Sequence, residues 1–543
     1  MFKKYLTWSL ISFLIAGLLI VFFCLKLTPF NFAPFLLLSG LLFLITYFFP
    51  REIFWLFLTL LPLEIIILSP AQVPFSLRPF QLVGGILILV VLLLWWQKKL
   101  KFKLVSFEKN CFLCKNDKRG GYLEGGVRKS FSWLDRLVFI FPVISLFSLF
   151  NATEKTVALK LNIVLFSFLG IYWLTRNFIQ SKQDFLESLW FFLIGLSTTT
   201  LFVFYQMIAA KLGLPDFQVM AGRANSTFTE PDWLGIYLVL SLAIVLWLKL
   251  YSKDDDDKLM AAKMSWNFFY ASVTNILVFL ALFALILTVA RSAWLGAGAV
   301  TGGYLLLSLV KGEGWLKAIG RATSIIVLAF LAFGLVLGAD LSSFHFGNRA
   351  ASSISGMQKI TISCTPGKIA PQQIENIIEL EDYDCRHIDL EEISEEEAIG
   401  SSIQEVYRPD PNVEIRKNIY GLVWGAIKKA PLIGHGLAAA GDILGKDERG
   451  SSLNSSNIFL EAWLTTGLLS LILLVVLIFA PFFISGKTFF RKRDEISFII
   501  FSFISLTTIA IVVPNLFNAG LFLAFFWVWL AIVVGLAFRG DNF

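Results

Sequence analysis

Apolar runs long enough to cross a hydrocarbon core, about 18 residues or more each, recur along almost the whole of this chain. In lipid the backbone has no water to bond to. A spanning segment must therefore satisfy its own N–H and C=O groups, as a helix or within a closed barrel. The two-residue alternation of a barrel strand is absent. The expected fold class is all-α: a polytopic transmembrane bundle of about 12–14 helices with one large extramembrane loop. Composition agrees, because only 16% of residues are charged, against about 25% in soluble domains.

The first run, Tyr5–Leu27, follows Lys3 and Lys4 as a signal peptide would. It is too long for a signal core and no small-residue cleavage site follows, so a retained helix is expected. Fourteen runs can be placed in all, the third over Ile53–Leu68 and the twelfth over Ile458–Ile484. With the N-terminus in the cytoplasm, every basic loop falls on the cytoplasmic side. Lys98, Lys99, Arg128, Arg176, Lys182, Lys249, Lys311, Arg321, Arg491 and Arg493 lie in such loops, and Arg539 ends the chain there. Both termini are then cytoplasmic. Residues 1–339 hold eleven helices and a basic loop near 98–131. Residues 340–456 form the large extracytoplasmic loop, and 457–543 hold the last three helices. The net charge of +7 is spread through short loops, so no nucleic-acid partner is expected.

Cys364 and Cys385 share the large loop, where an oxidising exterior would let them form a disulfide. The stretch Ile360-Thr361-Ile362-Ser363 has a strand-like pattern. Cys111 and Cys114 form a CxxC in the basic loop, but the second ligand pair of a structural zinc site is missing. No metal site and no cofactor are expected. Cys24 lies in the first helix. The run from Lys253 to Lys258 reads as a solvated charge cluster.

Soluble-enzyme signatures such as GxxxxGK[ST], HExxH and GxSxG are absent. Charges at the membrane boundary are the remaining candidates for chemistry. Arg223 precedes one helix, and Arg291 stands between two helices with almost no loop. Each reads either as an interfacial anchor or as part of an anion site, since a guanidinium fork matches phosphate oxygens and keeps its charge in low dielectric. His435, between Gly434 and Gly436, reads either as a turn residue or as a general base. Ser456 or Asn457 would cap the helix that follows. Glu461, one turn in, is the carboxylate best placed to meet a substrate. Glu64, close to Pro62, marks either a helix break or a second site.

Four segments in order resemble the O-antigen ligase and polymerase family of membrane glycosyltransferases. Phe228-Thr229-Glu230-Pro231, with Arg223 upstream, is similar to the family's Phe-x-x-Pro-Asn, with Asp232 where Asn is usual. Arg291-Ser292-Ala293-Trp294 is close to Arg-Gly-Ala-Trp. Pro431-Leu432-Ile433-Gly434-His435-Gly436 resembles Pro-Leu-x-Gly-x-Gly. Asn457 through Gly467 resembles His-Asn-x(9)-Gly, with Ser456 in place of the His.

The resemblance implies an enzyme of the cytoplasmic (inner) membrane. Its donor would be a polyprenyl-pyrophosphate-linked glycan and its acceptor a lipid, glycan or protein, with membrane lipids around it. Arg223 and Arg291 would neutralise the leaving pyrophosphate without a metal, and Arg416 would assist. Glu230, Ser456 and Asn457 would lie at the substrate, and His435 or Glu461 would take the missing histidine's role. Polymerase and protein oligosaccharyltransferase activities remain open beside ligase activity. A polysaccharide transporter or flippase is the rival from another class, although no internal repeat is visible.

Overall fold

The computed structural model describes residues 2–73, 76–97, 132–220, 222–251, 264–312, 314–341, 355–375, 377–388, 393–409, 411–445 and 453–538. Cys111, Cys114 and the run from Lys253 to Lys258 lie outside these residues. Eleven helices run before the large loop: α1 (Phe2–Cys24), α2 (Phe32–Phe48), α3 (Pro50–Leu60), α4 (Pro79–Trp96), α5 (Trp133–Phe147), α6 (Lys155–Phe178), α7 (Lys182–Lys211), α8 (Pro231–Tyr251), α9 (Met264–Thr288), α10 (Arg291–Val310) and α11 (Trp315–Gly338). The loop region holds β1 (Met357–Cys364), β2 (Cys385–His387), α12 (Ile393–Ala398), β3 (Ser402–Pro409), α13 (Pro411–Lys429) and α14 (Ala439–Leu444). The chain then closes with α15 (Ile458–Thr466), α16 (Leu468–Lys492), α17 (Glu495–Asn515) and α18 (Ala524–Ala537).

Among the described residues, eleven helices are long and apolar enough to cross a membrane. The protein is thus a polytopic all-α membrane protein. Burial sorts the helices by depth in the bundle. The apolar window of α8 is 83% buried, while those of α1 and α11 are only 22% buried. The first packs on helices all round and the other two present apolar side chains outward, as lipid-facing helices do. The short α18 is buried along its whole length. At about 1.5 Å per residue it spans only some 21 Å, so it serves as a central strut.

Two expected spans are broken. The run Ile53–Leu68 is helical only through α3. Pro62 lacks a donor, and the next residues pair with a distant loop: the N–H groups of Glu64 and Ile65 both donate to Thr227 O, at 2.9 and 2.8 Å. Arg51, in the first turn of α3, pairs with Asp184 and Glu187 of α7 and ties the short helix to the bundle. The run Ile458–Ile484 is divided at Gly467 into α15 and α16.

The partner of the first break is the 224–228 segment, an irregular stretch buried inside the bundle. Such backbone is tolerated at membrane depth only where protein supplies its hydrogen bonds. Gln206 of α7, wholly buried, does much of this. Its Oε1 accepts from Ser226 N at 2.7 Å, and its Nε2 donates to Phe217 O at 3.1 Å. Asn225, also buried, donates to Phe228 O and accepts from Val219 N. The Thr227 hydroxyl donates to Pro62 O at 2.7 Å.

The loop region carries a small sheet of order β2-β1-β3, antiparallel throughout. Ile360, Ile362, Val406, Ile374 and Leu380 form its core. Cys364 of β1 and Cys385 of β2 are joined by a disulfide. Glu396 on α12 accepts a hydrogen bond from Ser363 and pairs with Arg386, and these contacts hold its carboxyl below the usual range.

The buried loop makes one clear demand. Gln206→Ala leaves Ser226 N–H without an acceptor, and is expected to lower stability by about 2–3 kcal/mol. The readout is the thermal unfolding midpoint in detergent, and an unchanged midpoint would show that the loop does not depend on this side chain.

Candidate functional site

Arg223, just before the buried stretch, lies at the junction of α9 and α10. Ala224 N donates to Leu287 O at 2.9 Å, and Arg223 Nε donates to Thr288 O at 3.0 Å. Thr288 is the last residue of α9. Val289 then takes a left-handed conformation (φ 52°), Ala290 is extended, and Arg291 opens α10. The chain turns from one helix to the next in two residues, so both arginines meet at one corner. Arg223 is 12% exposed and also pairs with Asp232 at 3.3 Å. Asp232 stands in the first turn of α8, beside Glu230 in the connecting loop. Buried in the same loop, the Thr229 hydroxyl has no partner among the described residues.

The second part of the site is an interlock of two glycine turns. A Cβ on Gly434 would meet the Thr465 carbonyl oxygen at 2.6 Å, and a Cβ on Gly467 would meet Leu432 O at 2.1 Å. Both residues have positive φ, which glycine alone tolerates easily. The backbones therefore lie directly against each other. His435 N donates to Leu464 O at 2.9 Å, Gly436 N to Thr465 O at 2.8 Å, and Leu468 N to Pro431 O at 2.9 Å. The interruption at Gly467 thus holds the 431–436 turn against the end of α15.

His435 is half-buried, and its Nε2 lies 2.8 Å from Ala426 O. A carbonyl can only accept, so Nε2 carries the proton and ties the turn to α13. The turn reading of His435 matches this contact, and only Nδ1 remains to act as a base. Asn457 caps α15: its Oδ1 accepts from Phe459 N and Leu460 N at 2.9 and 3.1 Å. Its Nδ2 donates to Leu516 O at 3.0 Å. Ser456 adopts a left-handed conformation (φ 51°), held by Asn454 Oδ1 on its N–H. Glu461 Oε2 accepts from Ser455 N at 2.9 Å, which aims the carboxylate back at the Ser455-Ser456 corner.

The piece without a signature in the sequence is the turn between α17 and α18. Leu516 accepts the bond from Asn457. Phe517 lies under Arg416 of α13, with the guanidinium carbon 5.2 Å from the ring centroid. Asn518 Nδ2 donates to the Ser292 hydroxyl at 3.0 Å, next to Arg291, and to Pro514 O at 2.9 Å. Three consecutive residues touch three of the candidate segments. The available clue was two asparagines, Asn515 and Asn518, in a tight turn between strongly apolar runs. Glu64 is joined by its N–H to Thr227 O in the loop that follows Arg223, with both carboxylate oxygens buried and unpartnered among the described residues.

The structure therefore gathers Arg223, Arg291, Asp232, Arg416 and Asn457 around the α9–α10 corner and the 516–518 turn. His435 and Glu461 belong to the neighbouring interlock. Residues 276–475 match the family model described as O-antigen ligase. The match runs from α9 into α16 and includes Arg291, Arg416, His435, Ser456, Asn457 and Glu461. Arg223, Glu230 and the 516–518 turn lie outside it. No curated protein matches the chain.

The His435 contact makes a specific expectation. Glutamine can donate an amide N–H toward Ala426 O but cannot act as a base. If holding the turn is what His435 does, the enzymatic activity of His435→Gln stays within about tenfold of the parent, whereas a general base contributes about 10²–10⁴-fold. A loss of the larger size in folded protein, with the activity's pH profile altered, would assign proton transfer to Nδ1.

Proposed function

The chain belongs to the O-antigen ligase family through residues 276–475, and from that premise we propose that it is a membrane glycosyltransferase of the ligase type. In this reading it moves a glycan from undecaprenyl pyrophosphate to an acceptor at the outer face of the cytoplasmic membrane. The loop region between α11 and α15 then faces outward, with both termini in the cytoplasm, which agrees with the basic loops all falling on the other side.

The observation that carries the reading is the meeting of Arg223 and Arg291 at one helix corner, with Arg416 on the turn that braces it. An acceptor hydroxyl oxygen attacks the anomeric carbon of the donor. The new C–O bond forms as the bond from that carbon to the pyrophosphate oxygen breaks, and undecaprenyl pyrophosphate departs with the electron pair. Charge develops on the phosphate oxygens as this bond lengthens, and fixed guanidinium groups in a water-poor site stabilise it strongly. Arginine suits the task because its fork binds phosphate through two N–H groups and does not lose its proton. The hydroxyl proton passes to Glu461, whose orientation is set by the Ser455 N–H. Glu230, Ser456 and Asn457 shape the acceptor side, Asn457 mainly by fixing the start of α15.

Ser456 at the position of the family histidine favours a second reading within the same chemistry, a polymerase whose acceptor is another lipid-linked glycan. Cells lacking the protein distinguish the two: single lipid-linked units accumulate if it polymerises, finished polymer if it ligates.

For purified protein in detergent, Arg291→Ala and Arg223→Ala are each expected to reduce transfer by about 100-fold or more, near the worth of one such charge contact. Normal folding of both variants with full activity would falsify the proposal, and transfer that needs a membrane gradient would favour a transporter. Asp232 competes with the anionic donor for Arg223. Asp232→Asn is therefore expected to lower the KM for the lipid-linked donor about two- to fivefold, the size of a partly exposed ion pair.

A further inference from the structure

We infer that the 516–518 turn sets the spacing between the arginines of the donor site, and that Phe517 is the positioning residue that aims Arg416. This rests on the reading that these arginines meet a pyrophosphate. Arg416 is half-buried, and among the described residues its N–H groups meet no protein acceptor. Its identified partner is the face of the Phe517 ring, at 5.2 Å. An aromatic face attracts a guanidinium without using its N–H fork. Arg416 is thereby held in place with its hydrogen-bonding edge available to an anion. Arg223 differs, since Thr288 O and Asp232 already occupy part of its fork.

The turn itself is firmly built. Asn515 Nδ2 donates to Ile511 O and its Oδ1 accepts from Gly520 N, both at 2.8 Å, so one side chain closes the loop from inside. Gly520 leaves room for it, because a Cβ there would stand 2.6 Å from Asn515 Oδ1. Phe517 N donates to Pro514 O at 3.1 Å. From this base Asn518 reaches Ser292, next to Arg291, and Leu516 O receives Asn457. The position of Arg416 relative to Arg291 is therefore transmitted through three adjacent residues. A lipid pyrophosphate, with two phosphates at a fixed separation, is the ligand class for which such spacing matters.

The test uses the purified full-length protein and its lipid-linked donor, with kcat and KM measured separately. Phe517→Leu keeps apolar bulk but removes the aromatic face, and Phe517→Trp keeps the face. The expected result is a donor KM raised about tenfold in Phe517→Leu with kcat changed less than about twofold, and a near-parental KM in Phe517→Trp. Arg416→Ala raises KM similarly, and the double variant Arg416→Ala with Phe517→Leu is no worse than Arg416→Ala alone, because the pair acts as a unit. If Arg416→Ala raises KM while Phe517→Leu does not, the positioning role is overturned and the donor-site reading stands. If Arg416→Ala leaves KM unchanged, the assignment of a pyrophosphate to this guanidinium fails first. Equal KM increases in Phe517→Leu and Phe517→Trp would mean that packing volume, not the ring face, is what matters, and would also overturn the inference.

Discussion

Much of this structure depends on one carbonyl oxygen. Thr227 O receives the N–H groups of both Glu64 and Ile65, and the Thr227 side chain returns a bond to Pro62 O. These contacts let two non-helical segments lie side by side inside a helical bundle. Backbone that leaves a helix within a membrane must find its bonds in protein, since an unmet group there costs several kcal/mol. Gln206 and Asn225 supply most of the remaining partners. The loop so supported carries Arg223 to the end of α9. A guanidinium placed by a freely moving loop would not hold a fixed distance from Arg291.

The interlock at Gly434 and Gly467 serves the same purpose at the other side of the site. It replaces what would have been one continuous span with two helices meeting at a corner. The corner ends α15 at Thr466, while at its other end Asn457 caps the helix and the Ser455 N–H holds the Glu461 carboxylate. The motif glycines are thus explained by backbone proximity. Their role is to admit Leu432 and Thr465 to distances that a side chain would forbid.

What could be read from the sequence divides along physical lines. Apolar runs of spanning length follow from local composition, and the helices appear where they were expected. The ends of α3 and α15 were hidden because their causes are remote. Pro62 hinted at a break, but the pairing of residues 64 and 65 with Thr227 joins positions more than 160 residues apart. Gly467 sits in an apolar stretch, and nothing near it in the chain announces the approach of Leu432. Arg223 and Arg291 stood out because a charge at a helix boundary demands a reason. Phe517 and Asn518 carry no charge, and the asparagines that mark their turn do not say which distant segments it touches.

The acid group beside Arg223 bears on how the proposed donor site would survive without substrate. Clustered guanidinium groups repel one another, and the repulsion grows as water is excluded. Asp232 relieves this at Arg223, while Arg416 relies on the Phe517 ring, whose attraction adds no negative charge. The two solutions have different consequences for a dianionic ligand. A carboxylate must be displaced, or must share its arginine, when phosphate arrives, so part of the binding energy is lost there. A ring need not move. Placing the carboxylate on the arginine fixed by the buried loop, and the ring on the arginine carried by α13, leaves the open fork on the element that lies outside the bundle. In the proposed donor site, a pyrophosphate would then meet Arg416 first and complete its contacts at the α9–α10 corner.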